Sequence, residues 1–114
     1  MNEMKLTLNL RDGLFTLNEG TLDALGRPRQ VQLLINTKKQ MLVLRACGTE
    51  DAQAVVLPAE HVISTDISGR TLLKNIRQQM GWFDENTREC YGSYFPMHQA
   101  ISFDLSKVRI ADRN

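Results

Sequence analysis

Apolar and polar residues alternate from Met4 to Leu10: Met4, Leu6, Leu8 and Leu10 on one side, Lys5, Thr7 and Asn9 on the other. This period of two predicts a half-buried β-strand. Asp12-Gly13 is a turn signal, and Leu14 to Leu17 resumes an extended run. Asn18 is placed to cap a short helix from Glu19 to Leu25, with Glu19 at the positive helix end. Gly26 suits the left-handed position that follows, and Pro28 stops the helix from continuing.

Val31, Leu33 and Ile35 then share one face of a strand, with Leu34 on the other. Asn36 to Gln40 turns the chain and Met41 to Leu44 brings it back, the clearest hairpin in the sequence. Residues 47–58 read as a polar loop ending in a short apolar strand, and Glu60 to Thr65 as a further strand that would contain His61. Ser68 is a candidate cap for a helix reaching Met80, with Leu72, Leu73, Ile76 and Met80 as its apolar stripe and Gly81 as its stop. Trp82-Phe83 is expected to pack back on the core. Strands are predicted near Cys90 to Phe95 and Ala100 to Leu105, with a last short one in the tail from Lys107 to Arg113.

The order of elements predicts an α+β fold: a small bent antiparallel sheet or half-barrel with one short and one longer helix. At 114 residues, without repeats, low-complexity tracts or a flexible linker, the chain is expected to form a single domain over residues 1–114. Its composition, 42% hydrophobic and 24% charged, is that of an ordinary globular protein. No apolar run approaches the roughly 20 residues of a membrane helix, and no signal-type apolar segment opens the chain. Cys47 and Cys90 are far apart and are read as small, partly buried hydrophobes in a reducing, cytoplasmic setting.

Net charge is +1, so there is no global attraction to nucleic acid or membrane, and any electrostatic partner must be met by local clusters. Arg27, Arg29, Lys38, Lys39 and Arg45 fall in a window free of acids between Asp23 and Glu50. Such a window is either a phosphate-contacting surface or the solvated side of a hairpin, where lysines discourage edge pairing. Arg70, Lys74 and Arg77 form a second group, about 110° around the predicted helix from its apolar stripe. Lys107 and Arg109 would share a face of the tail strand, with Arg113 beyond. Aromatic residues do not interleave with these cations along the chain, which argues against a stacking platform for single strands.

Catalytic signatures are absent from the sequence. Cys47, His61, Cys90 and His98 are singletons rather than the closely spaced pairs of a zinc site. No phosphate-binding or dinucleotide glycine motif occurs, and the acids form no diagnostic pair. No enzyme activity, metal or cofactor is expected.

From Leu14 to Arg45 the chain resembles the AbrB-type fold of transition-state regulators and MazE-like antitoxins. Gly13, Phe15 and Leu17 resemble that family's first strand, Leu25-Gly26 its helix end, and Val31, Leu33, Ile35, Met41 and Val43 its strand pair. The resemblance implies a swapped-hairpin homodimer that binds duplex DNA. Leu14, Leu22 and Asp23 stand where the family carries arginines, so DNA contact would fall to Arg27, Arg29, Lys38, Lys39 and Arg45. The whole chain is also similar to short proteins of gut bacteria and their mobile elements, through Leu25-Gly26, Pro28, the Leu33-Leu34-Ile35-Asn36 segment and Phe103-Asp104-Leu105-Ser106. That likeness brings no activity with it.

The leading expectation is a non-enzymatic, cytoplasmic, dimeric transcriptional regulator whose nucleic-acid-binding residues are Arg27, Arg29, Lys38, Lys39, Arg45, Arg70, Lys74 and Arg77. The alternative is a protein-binding module, an inhibitor or adaptor, anchored by Trp82, Phe83, Tyr91, Tyr94 and Phe95, since aromatics dominate interface energetics.

Overall fold

The alternation around Leu6 and Leu8 becomes the first strand of a strongly curled antiparallel sheet. The structure, a computed structural model, describes residues 3–48 and 50–111. Among them the strands are β1 (Lys5–Asn9), β2 (Leu14–Asn18), β3 (Gln30–Asn36), β4 (Met41–Ala46), β5 (Val55–Val56), β6 (Ser64–Ser68), β7 (Arg88–Phe95), β8 (Ala100–Asp104) and β9 (Arg109–Ile110). The helices are α1 (Glu19–Ala24) and α2 (Arg70–Met80). Single 3₁₀ turns lie at Pro96–His98 and Leu105–Lys107.

The sheet runs β5-β3-β4-β8-β7-β1-β2-β6, with β9 beside β7, and nearly closes into a barrel. The fold is thus sheet-dominated, with few helices. β7 makes the curl possible. Its first half pairs with β1, Leu6 opposite Cys90, and its second half with β8, Tyr94 opposite Ile101. The change of partner falls at Gly92. A Cβ there would come within 2.3 Å of Ile101 Cγ2 and 2.8 Å of Phe103 Cε1, so only glycine lets the strand bend over those side chains.

The inward positions of the alternating strands form one core. Leu6, Leu8, Phe15, Leu17, Leu42, Leu44, Ile67, Ile101 and Phe103 are fully buried, joined by Leu73 and Ile76 from α2. Asn18 caps α1 as its position suggests: its Oδ1 accepts from the Thr21 N–H, and Gly26 follows with φ +77°.

Several local expectations are corrected. The strand read at Glu60 to Thr65 is β6, at Ser64–Ser68, and His61 lies in an exposed loop before it. Pairing decides this, because Ile67 sits opposite Phe15 and fills the core. Ser68 does not cap α2. It pairs with Leu14 in the sheet, and Gly69 occupies the cap position without a side-chain hydrogen bond. Glycine is needed there, since a Cβ would lie 2.5 Å from Phe15 Cε2. Phe83 does not pack on the core: it is 92% exposed, while Trp82 is packed against it. Lys107 belongs to a 3₁₀ turn and not to the tail strand. Arg113 lies outside the described residues.

Candidate functional site

The basic hairpin residues do not point to one place. Arg27 has a left-handed backbone, φ +50°, and its side chain folds back into the protein. Nε donates to Asp23 Oδ1 and Nη1 to the Val62 carbonyl, each at 2.8 Å, which ties the end of α1 to the loop before β6. Its Nη2 is buried without a partner. Arg27 lines a small cavity of ≈ 170 Å³ with Leu57 and His61. Arg45 stands across the hairpin from Gln32 and donates to its Oε1 at 2.6 Å. It lines a different hollow, with Val43, Phe95 and His98. Arg29 is exposed, and Lys38 and Lys39 are exposed in the turn at the far end of the hairpin.

The helix group behaves differently. Leu73 and Ile76 bury one side of α2, which leaves Arg70, Lys74 and Arg77 along its flank. Gly81, at φ +72°, ends the helix and reverses the chain, so that Trp82 and Phe83 run back beside that flank. The turn between β1 and β2 supplies the other wall. The result is an open cleft of ≈ 450 Å³ whose lining includes Arg11, Arg70, Lys74, Arg77, Trp82 and Phe83.

Four cations in this lining face one acid, Glu85. Arg11 Nε and Glu85 Oε1 are 4.0 Å apart and both side chains are largely exposed, so their pairing is weak. Arg70 donates to the Asp12 carbonyl at 3.3 Å and stays exposed. Arg77 is a fastener: its guanidinium donates to the carbonyls of Trp82 and Asp84, at 3.4 Å and 2.9 Å. Lys74 is exposed on the turn of helix between them. Behind the cleft, the buried Arg88 holds Asp84 by two hydrogen bonds and lies 4.4 Å from the Trp82 ring centroid.

The structure therefore brings Arg70, Lys74 and Arg77 together with Trp82 and Phe83, residues that the sequence assigned to two different surfaces. It adds Arg11, which sequence reasoning missed. The available signal was a cation stripe at helical spacing followed by a C-terminal glycine and two aromatics, because a left-handed glycine returns the chain along the last turn. The remaining aromatics lie elsewhere. Tyr91 is on the outside of β7 against Arg109, Tyr94 packs against the core, and Phe95 is half-exposed on the outer face near Arg45.

Among the described residues no group of three or more His, Cys, Asp or Glu side chains is placed to hold a metal ion, and no helix is long and apolar enough to cross a membrane. Comparison with protein-family models, curated proteins and solved structures gives no match.

Proposed function

We propose that the protein is a non-enzymatic, cytoplasmic nucleic-acid-binding protein that holds phosphates in the cleft between α2, the β1–β2 turn and the Trp82-Phe83 segment. One observation carries this reading: four cations converge on one cleft with a single acid in a chain whose net charge is only +1. Local concentration of charge on a near-neutral protein favours a defined anionic site over general stickiness. Contacts from Arg70 and Lys74 are to the backbone of the nucleic acid, giving affinity and register without sequence information. Two copies joined as a homodimer would present two such clefts to one target, which suits a dimeric regulator.

The test is fluorescence anisotropy with labelled DNA, for wild type and an Arg70→Ala/Lys74→Ala double variant. With about three phosphates neutralised, affinity should fall roughly 20- to 40-fold between about 50 and 200 mM salt. The double variant should bind more weakly and show a shallower salt slope, whereas Arg29→Ala should bind like wild type. Binding indifferent to salt would contradict the proposal.

A second reading, a protein-docking module, is favoured by the outer face of β4 and β8. Phe95 is 49% exposed there, in a hollow that it shares with Val43 and Arg45. It expects Phe95→Ala to weaken a protein complex while leaving the melting temperature near wild type.

A further inference from the structure

We infer that the cleft takes single-stranded nucleic acid in preference to duplex, with an unstacked base resting on Phe83. This rests on the reading of the cleft as a phosphate-binding site and adds to it the form of the strand.

The argument begins with the exposure of Phe83. A phenylalanine that is 92% exposed forfeits the burial that usually places this residue inside a protein. Its two neighbours are both anchored. Trp82 packs against the core, its N–H donates to the Arg77 carbonyl at 3.0 Å, and the Arg88 guanidinium lies over its ring. Asp84 is held by both terminal nitrogens of Arg88, and its carbonyl accepts from Arg77. Phe83 is thus carried on a short segment pinned on either side, so presenting its ring costs little further ordering.

The chemistry around that ring is what a single strand offers to meet. Arg70, Lys74 and Arg77 rise along about 10 Å of helix and supply positive charge to a backbone running beside it. Phe83, in the same cleft, supplies exposed flat apolar surface for a base, and Trp82, packed on the core beside Arg88, lines the cleft next to it. Cations and aromatics that do not interleave along the chain here share one cleft, and cationic groove plus aromatic surface is the recurrent design of single-strand sites, because every base has a face that can stack and only an unpaired strand can present it. A duplex keeps those faces inside its own stack. The open cleft of ≈ 450 Å³ has room for a nucleotide beside α2.

The experiment uses the full chain, with an unlabelled oligothymidine, an oligouridine of the same length and a hairpin duplex of matched charge. Trp82 is the chain's one tryptophan and lines the cleft, so its fluorescence reports occupancy directly. The expected result is quenching by the single strands at lower concentration than by the duplex. Phe83→Ala should weaken single-strand binding roughly 5- to 150-fold, the range of one lost stacking contact. It should leave the duplex affinity unchanged, and Phe83→Tyr should restore single-strand binding. Because Phe83 is exposed, its alanine variant should melt like wild type, and that melt is run alongside. The oligouridine arm tells RNA from DNA; tighter binding of either single strand supports the inference. Equal binding of both forms with Phe83→Ala inert would overturn the single-strand preference and leave the phosphate site standing. Absence of binding by every probe at low salt would overturn both.

Discussion

Arg88 grips both carboxylate oxygens of Asp84, at 2.8 Å and 2.9 Å, while its guanidinium rests 4.4 Å from the centroid of the Trp82 ring. One buried side chain of β7 thereby fixes the segment that forms a wall of the cleft. The pairing has a pH signature. The hydrogen bond from Arg88, followed by that from the Asn86 N–H, holds the Asp84 carboxyl well below the usual carboxylate range. A depressed folded pKa means that the unfolded chain takes up the proton first as pH falls. The contribution is therefore complete above about pH 4, where unfolded aspartate ionises, and is lost progressively below it. Asp104, lowered by its hydrogen bond from the Ser106 side chain, acts in the same direction. Thermal melts from about pH 7 down to about pH 2 should show the melting temperature falling below about pH 4, and Asp84→Asn should flatten that fall. An unchanged slope in the variant would remove Asp84 from the account.

Gly92 is the point at which β7 leaves β1 for β8. Gly92→Ala should cost on the order of 1–3 kcal/mol, because the added methyl meets Ile101 and Phe103 in a packed core. At Gly26 a Cβ meets open space and only the left-handed φ of +77° is strained, so Gly26→Ala should cost about 1 kcal/mol. Urea unfolding of the two variants side by side checks the order, and a larger loss at Gly26 would contradict the packing argument.

Asn18 does more than cap a helix. Its Oδ1 accepts from the N–H groups of Lys5 and Thr21 and from the Thr21 hydroxyl, and its Nδ2 donates to the Glu3 carbonyl. Asn18→Ala should destabilise by about 2 kcal/mol, the upper end for a lost cap. Asn18→Asp keeps the acceptors and should lose less. Equal denaturation midpoints for the two variants would show that the donor to Glu3, and not the cap, carries the effect.

The two cysteines should differ in reactivity. Burial pushes the Cys90 thiol up to about 12, and burial also raises Cys47, which remains partly accessible. At about pH 8 a thiol-specific chromogenic disulfide should modify Cys47 in the folded protein and reach Cys90 only on unfolding, because the thiolate is the reactive form. Two thiols titrating together under native conditions would place Cys90 nearer the surface.

Much of the local structure could be read from residue order because its causes are local. The alternation of β1, the Asn18 cap, the left-handed Gly26 and the β3–β4 hairpin each depend on side chains within a few positions of one another. β6 escapes the local pattern because Val62-Ile63 has the look of a strand, while its true span is chosen by Phe15 and Leu17, remote in the chain, opposite Ile67 and Thr65. The cation stripe on α2 was legible from its spacing, since helical geometry alone puts Arg70, Lys74 and Arg77 on one flank.

The sequence by itself determined β1, the β3–β4 hairpin, the Asn18 cap, the turn at Gly26 and the side of α2 that is charged, through periodicity and backbone preference. Only the tertiary structure decided what that charged side meets. Arg11, α2 and Phe83 come together because β6 pairs with β2, which seats the start of α2 against the β1–β2 turn at Gly13, and because the chain reverses at Gly81. Arg27 turns away from solvent because Asp23 and the Val62 carbonyl are within its reach. Such encounters depend on long-range pairing and on which polar groups find partners in three dimensions, and neither leaves a periodic mark along the chain.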